Sequence, residues 1–288
     1  MIYCKELNKN FDNKKDLFKA LAENESVIID AKKSEIYKSY EKGLQVVSEQ
    51  KLIEKALNSE ENKAIKFDSN YYYFVVNSAN YLDSHKDVHL KGNWSKTVKE
   101  KQNKNYLIWH HDFSKAENII AFPEDIEMFT ANISWKLLGK NYEGETYCLI
   151  YKVAKDKIQN KTIKEWLELG KKLQLSVRMQ YVKVLIAFKS DEKEYEEYNK
   201  NYNEIYPLIV NKSDFKEEDL LWVYGVKEAN NVMESSILPY GSNDATAEIS
   251  NNESKEEQLE NDTQIEIKDE QSDDTQTTEM LKQLLNKF

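Results

Sequence analysis

All four histidines of the chain lie between positions 85 and 111, in Asp83-Ser-His85-Lys-Asp87-Val-His89 and in Trp109-His110-His111-Asp112. Two kinds of chemistry fit such a cluster. In the first, His85, Asp87 and His89 alternate along an extended segment, and His110 or His111 completes a metal-ligand set for a metallohydrolase. The spacing matches neither H-x-H-x-D-H nor H-E-x-x-H, and a surface polar loop is the plainer reading of His85 and His89. In the second, a histidine takes the proton of a serine that is otherwise a weak nucleophile, and a carboxylate orients the imidazole. The candidates are His110 or His111, Ser176 and Glu234, which lie on three segments far apart in the chain. A serine between a helix and a strand is also an ordinary cap or turn residue, so the fold must bring the three together before the pattern means catalysis.

Several short motifs, in the same order, resemble those of the tailed-phage prohead proteases, the capsid-maturation serine proteases related in fold to herpesvirus assemblin. Asp83-x-x-x-Asp87-Val88-x-x-x-Gly92-x-Trp94 is similar to an early loop of that family, a resemblance that makes these residues loop formers instead of ligands. Leu107-Ile108-Trp109-His110-His111-Asp112 resembles the strand that ends in the catalytic histidine, and the His-Asp pairing favours His111 over His110. Gly170 to Met179 resembles the helix and strand that carry the nucleophile, with Ser176 in the serine's place. Arg178 stands where the family usually has glycine. It is the only arginine of the chain, and as a cation two residues past the nucleophile it is a candidate for oxyanion support; a surface-facing strand residue is the other reading. Val232-Met-Glu234-Ser-Ser236-Ile-Leu-Pro239 is similar to the segment that closes the protease domain, which makes Glu234 the acidic candidate with Asp112 as its competitor.

The elements that must position these residues follow from apolar periodicity. Tyr71 to Val76 is a run of strand length; Phe129, Ala131, Ile133, Trp135 and Leu137 alternate with polar residues, and Glu145 to Val153 can return beside them through a turn marked by Gly139, Asn141 and Gly144. Thr162-x-x-Glu165 reads as a capping box for a helix ending just before Ser176. Val177 to Phe188 is strand-like with a phase change that predicts a bulge near Tyr181. Asp191 to Tyr206 reads as a helix or excursion, and Leu220 to Val232 as a last strand, after which Pro239-Tyr-Gly241 closes the domain. The expected architecture is α+β, with a mostly antiparallel, barrel-like sheet and flanking helices. Its expected layout is a helical N-terminal extension over residues 1–65, a protease-like domain over 66–244, and a disordered acidic tail over 245–288 that ends in a short amphipathic helix at Met280, Leu281, Leu284, Leu285 and Phe288.

Composition limits the function classes. Of the net charge of −10, the stretch from Asp244 to Phe288 supplies 13 acidic and 4 basic side chains, which leaves a nearly neutral body and argues against a basic nucleic-acid interface. The longest apolar run, Tyr71 to Val76, is too short to span a bilayer, and the first residues lack the regions of a signal peptide, so a cytoplasmic protein is expected. Cys4 and Cys148 follow no metal or disulfide spacing and read as ordinary thiols. With 7 glycines and no phosphate-binding loop, no cofactor is expected. The resemblance implies a serine endopeptidase with major capsid protein, scaffold and itself as substrates, acting in the host cytoplasm inside the viral prohead, and leaves a homo-oligomer open. A noncatalytic internal scaffold that keeps the protease fold is the alternative from a different class.

Overall fold

The computed structural model describes residues 1–39, 46–47, 68–171 and 173–238. The expectations for Leu52 to Leu57, for Pro239 to Asn243, and for the acidic tail with its terminal helix lie outside these residues. The elements in chain order are β1 (Ile2–Cys4), β2 (Lys9–Phe11), α1 (Lys14–Glu23), α2 (Glu25–Ser34), β3 (Ile36–Ser39), β4 (Val46–Val47), β5 (Tyr71–Ser78), β6 (Asp87–His89), α3 (Ser95–Lys101), β7 (Tyr106–Trp109), β8 (Ile119–Ala121), β9 (Ile126–Ser134), β10 (Glu145–Ala154), α4 (Lys161–Glu168), β11 (Gln174–Phe188), α5 (Glu196–Ile205) and β12 (Trp222–Leu238). Together they form an α+β fold in which a curled, mixed sheet makes half of a barrel and helices flank it.

Beside the two-stranded sheet of β1 and β2, one sheet has the order β4-β5-β10-β9 and another β3-β11-β12-β7-β8 with β6 also paired to β12. Most pairings are antiparallel, as expected; β6 and β7 run parallel to β12 and make the second sheet mixed. The apolar run of β5 is buried on both faces. Tyr72, Phe74 and Val76 enter the main core, and Tyr73 and Val75 join a second cluster with Ile133, Trp135 and Cys148. The hairpin of β9 and β10 forms around Gly139 and Gly144, both at positive φ, but β9 ends at Ser134. Trp135 and Leu137 therefore continue the alternation as buried turn residues instead of strand residues.

Three expectations need correction. The first 39 residues are not an appended helical extension: Leu17, Phe18, Leu21 and Ile28 belong to the main core, Phe18 stacks on Phe188 at 4.6 Å, and β3 is hydrogen-bonded to β11. Lysine- and asparagine-rich composition concealed this, because only a few apolar residues per helix are needed to dock each one. The cap of α4 is Asn160, whose side-chain oxygen accepts from the Ile163 N–H at 2.9 Å, so Thr162 lies inside the first turn. His89 is buried, at 3% exposure, instead of sitting on a surface loop.

The Asp83 to Trp94 segment is a core-docking loop. Lys32 from α2 reaches Asp87 at 2.6 Å and lies over the Tyr224 ring at 4.0 Å, and the Tyr181 hydroxyl donates to the other Asp87 oxygen at 3.0 Å. Burial pushes the Asp87 carboxyl up to about 7. His89 stacks against Trp94 and its Nδ1 accepts from Asn93. Burial pushes the His89 imidazole down to about 3, so it is neutral in the fold while an unfolded chain would protonate it near pH 6.5. Its contribution to stability is therefore complete above pH 6.5 and is lost as pH falls toward 3. Asp87 has the opposite sign, with its contribution complete below the unfolded carboxylate value and lost as pH rises through 7. Relative to wild type, His89→Gln is expected to gain about 3 kcal/mol on going from pH 7.5 to pH 4.5, as two pH units of protonation linkage disappear. Paired thermal melts at the two pH values check this; a constant offset between the two proteins would contradict it.

Both cysteines are free and buried, and burial pushes the Cys4 thiol up to about 11. Among the described residues, no helix is long and apolar enough to cross a membrane.

Candidate active site

Ser176, Glu234 and His111 lie on, or directly after, three adjacent strands. Ser176 is the third residue of β11 and pairs with Ser236 of β12; on the other side of β12, Ser236 pairs with Ile108 of β7, and His111 follows the end of β7. The central strand thus brings Ser176 from one neighbour toward His111 from the other. Ser176 is already inside the strand, and Glu234 is within β12 instead of after it, a correction to both sequence placements.

Two backbone irregularities aim the side chains. Register passes from Val177↔Ser235 to Met179↔Asn231, so Val232, Met233 and Glu234 bulge out opposite Arg178, with Met233 at φ 69°. At the end of β7, His110 and His111 both take left-handed backbone, at φ 60° and 57°. Non-glycine residues hold such conformations at a cost of about 1 kcal/mol or more each, and only where surrounding bonds fix them. Here the His110 N–H donates to the Ile237 carbonyl at 3.1 Å and the His111 N–H to Ser236 Oγ at 2.8 Å. The sequence-predicted bulge near Tyr181 is also present, as register shifts on either side of Lys183.

The resulting geometry is a continuous chain. His111 Nε2 lies 2.6 Å from Ser176 Oγ, and His111 Nδ1 lies 2.8 Å from Glu234 Oε1. A carboxylate only accepts, so Nδ1 carries the proton and Nε2 is left to accept from the serine hydroxyl. This is the tautomer required of a general base toward serine. Ser176 is fully buried, and the His111 and Glu234 side chains are each 1% exposed, so the interactions act in a low-dielectric setting.

Ser236 is a participant that sequence reasoning missed. Its hydroxyl accepts from the His111 N–H and donates to Glu234 Oε2 at 3.1 Å, which occupies the carboxylate oxygen that does not face the imidazole. The available signal was the Glu234-x-Ser236 spacing, which sets both residues on one face of a strand. Ser236→Ala is expected to lower acylation of Ser176 about tenfold or more, with Ser236→Thr restoring part of it. Equal acylation rates in Ser236→Ala and wild type would contradict this role.

The competing candidates go elsewhere. Asp112 caps the following turn: its oxygens accept from the Ser114 N–H at 2.7 Å and from the Asn118 side-chain amide at 2.9 Å, and these bonds hold its carboxyl below the usual value. His110 is exposed, with its ring edge-on to Trp109. Arg178 is half-buried, pairs with Lys38 across the β11–β3 ladder, and its buried Nε has no hydrogen-bond partner among the described residues. The proposed metal set does not converge: Asp87 is held by Lys32 and Tyr181, His89 by Asn93, and His85 lies 3.4 Å from the Lys5 ammonium. Among the described residues, no group of three or more histidine, cysteine, aspartate or glutamate side chains is placed to hold a metal ion.

The arrangement has the groups that nucleophilic acyl transfer requires: a serine hydroxyl, an imidazole nitrogen placed to accept its proton, and a carboxylate that orients the ring. No protein-family model, curated protein or solved structure matches this chain.

Proposed function

We propose that the protein is a serine endopeptidase of the prohead-maturation type, which cleaves scaffold and capsid-protein segments, and itself, inside an immature phage shell. The observation that carries the peptidase reading is the Ser176–His111–Glu234 hydrogen-bonded chain at 2.6 and 2.8 Å, formed from three segments separated by more than fifty residues of sequence. In the proposed reaction His111 Nε2 removes the hydroxyl proton as Ser176 Oγ attacks the peptide carbonyl, and then delivers it to the leaving amine. Water repeats the sequence to release the acyl group, and Glu234 stabilises the imidazolium in both halves. The buried Arg178 Nε, which has no partner among the described residues, supports the guanidinium as a donor to the developing oxyanion. The phage assignment, its capsid and scaffold substrates, and a prohead location rest on the ordered motifs alone.

The complete burial of Ser176 favours a second reading, a noncatalytic scaffold that keeps the fold. Intact mass spectrometry of wild type, Ser176→Ala and His111→Ala after concentration and incubation separates the two. Loss of a terminal segment in wild type only is the expected result. Identical intact masses in all three, together with unprocessed capsid protein on co-expression with wild type, would overturn the peptidase reading.

A further inference from the structure

Ser176 is fully buried, so a peptide can reach its hydroxyl only after something moves. The strand next to the nucleophile on the outer side of β11 is β3, at the edge of the sheet. Its pairing runs from Ile36↔Gln180 through Tyr37↔Met179 and Lys38↔Arg178 to Ser39↔Val177, the residue directly after Ser176. Peptidases commonly bind substrates as an added strand on such an edge, where backbone hydrogen bonds supply affinity and alternate side chains supply specificity. The direction also fits. Because β3 is antiparallel to β11, it runs N to C toward Ser176, the sense in which a substrate would deliver the carbonyl beyond its paired residues to Oγ.

We propose that the β11 edge over Val177–Gln180 is the strand on which the peptide substrate is read, and that β3 is its resident occupant, displaced by an incoming extended segment. This inference rests on the peptidase reading. β3 is suited to leave: it has four residues, lies at the sheet edge, and Ile36 is 48% exposed. Tyr37 is a side-chain anchor, stacked on Tyr181 at 4.4 Å, and the Gln180 amide donates to the Lys33 carbonyl just before the strand at 3.0 Å. The Tyr181 ring also defines a preference. A substrate with an aromatic residue opposite Met179 can reproduce the Tyr37 stack.

The test locks and loosens the occupant. Ile36 and Gln180 are cross-strand partners, at a separation a disulfide can span, and the two native cysteines are buried, so Ile36→Cys/Gln180→Cys can be oxidised selectively. Cleavage of fluorescein-labelled casein is measured per mole of protein, and labelling by an alkyl fluorophosphonate reports separately whether Ser176 reacts. The oxidised protein is expected to cleave casein at least about tenfold more slowly than its reduced form, and Tyr37→Ala faster than wild type, since a tethered strand competes at high effective concentration. Equal cleavage by the oxidised and reduced forms overturns the proposal, as does labelled Ser176 with no casein cleavage by either the reduced or the Tyr37→Ala protein. Absence of labelling in wild type and in Tyr37→Ala alike overturns the peptidase reading itself.

Discussion

Replacing His111 with alanine is expected to slow acylation of Ser176 by about a millionfold, the scale of loss when one member of a serine–histidine pair is removed. The cause is specific to this geometry. Ser176 Oγ has His111 Nε2 at 2.6 Å as its acceptor, and without the imidazole the hydroxyl must attack while still holding its proton. Glu234→Gln tests the third member with a smaller expected loss of about 10⁴-fold. An amide side chain can donate to Nδ1, which would leave the ring proton on Nε2 and the serine without a base. Rates from burst or single-turnover kinetics with an activated ester check both. A His111→Ala protein within tenfold of wild type would exclude His111 as the base.

The second large effect concerns stability and is separate from the triad. Lys32→Met is expected to destabilise the protein by about 3–5 kcal/mol, because it leaves the Asp87 carboxylate buried without its cation. Asp87 is fully buried and has Lys32 Nζ at 2.6 Å; this contact ties α2 to β6, and through Tyr181 to β11. For a domain of this size the change corresponds to a fall in Tm of about 10 °C. The loss should be smaller at pH 5 than at pH 8, since the Asp87 carboxyl, pushed up to about 7 by burial, takes a proton and needs no cation at the lower value. Thermal melts of both proteins at the two pH values check this, and a pH-independent difference would contradict it.

Much of the β framework was legible from local pattern. Alternation in β9, the apolar run of β5, the phase change in β11 and the glycines of the β9–β10 turn each follow from nearest-neighbour geometry. Docking of the first 39 residues was not legible, because the partners of Phe18 and Tyr37 are Phe188 and Tyr181, well over a hundred residues away. Convergence of His111, Ser176 and Glu234 was suggested by residue type and by ordered motifs, but their contact depends on β12 lying between β11 and β7, a long-range fact that no periodicity encodes. The bulge at Val232–Glu234 and the role of Ser236 were missed for the same reason. A bulge is defined by the partner strand it leaves unmatched, and a serine that bridges a backbone N–H and a carboxylate is indistinguishable by type from any other strand serine.

The most direct test of the central claim is active-site labelling with an alkyl fluorophosphonate, followed by peptide mapping of wild type, Tyr37→Ala, Ser176→Ala and His111→Ala. A single adduct on Ser176 in wild type, absent from Ser176→Ala and nearly absent from His111→Ala, is the predicted result. Ser176 left unlabelled in both wild type and the loosened Tyr37→Ala protein, or an adduct that persists in Ser176→Ala, would contradict the assignment of Ser176 as the nucleophile.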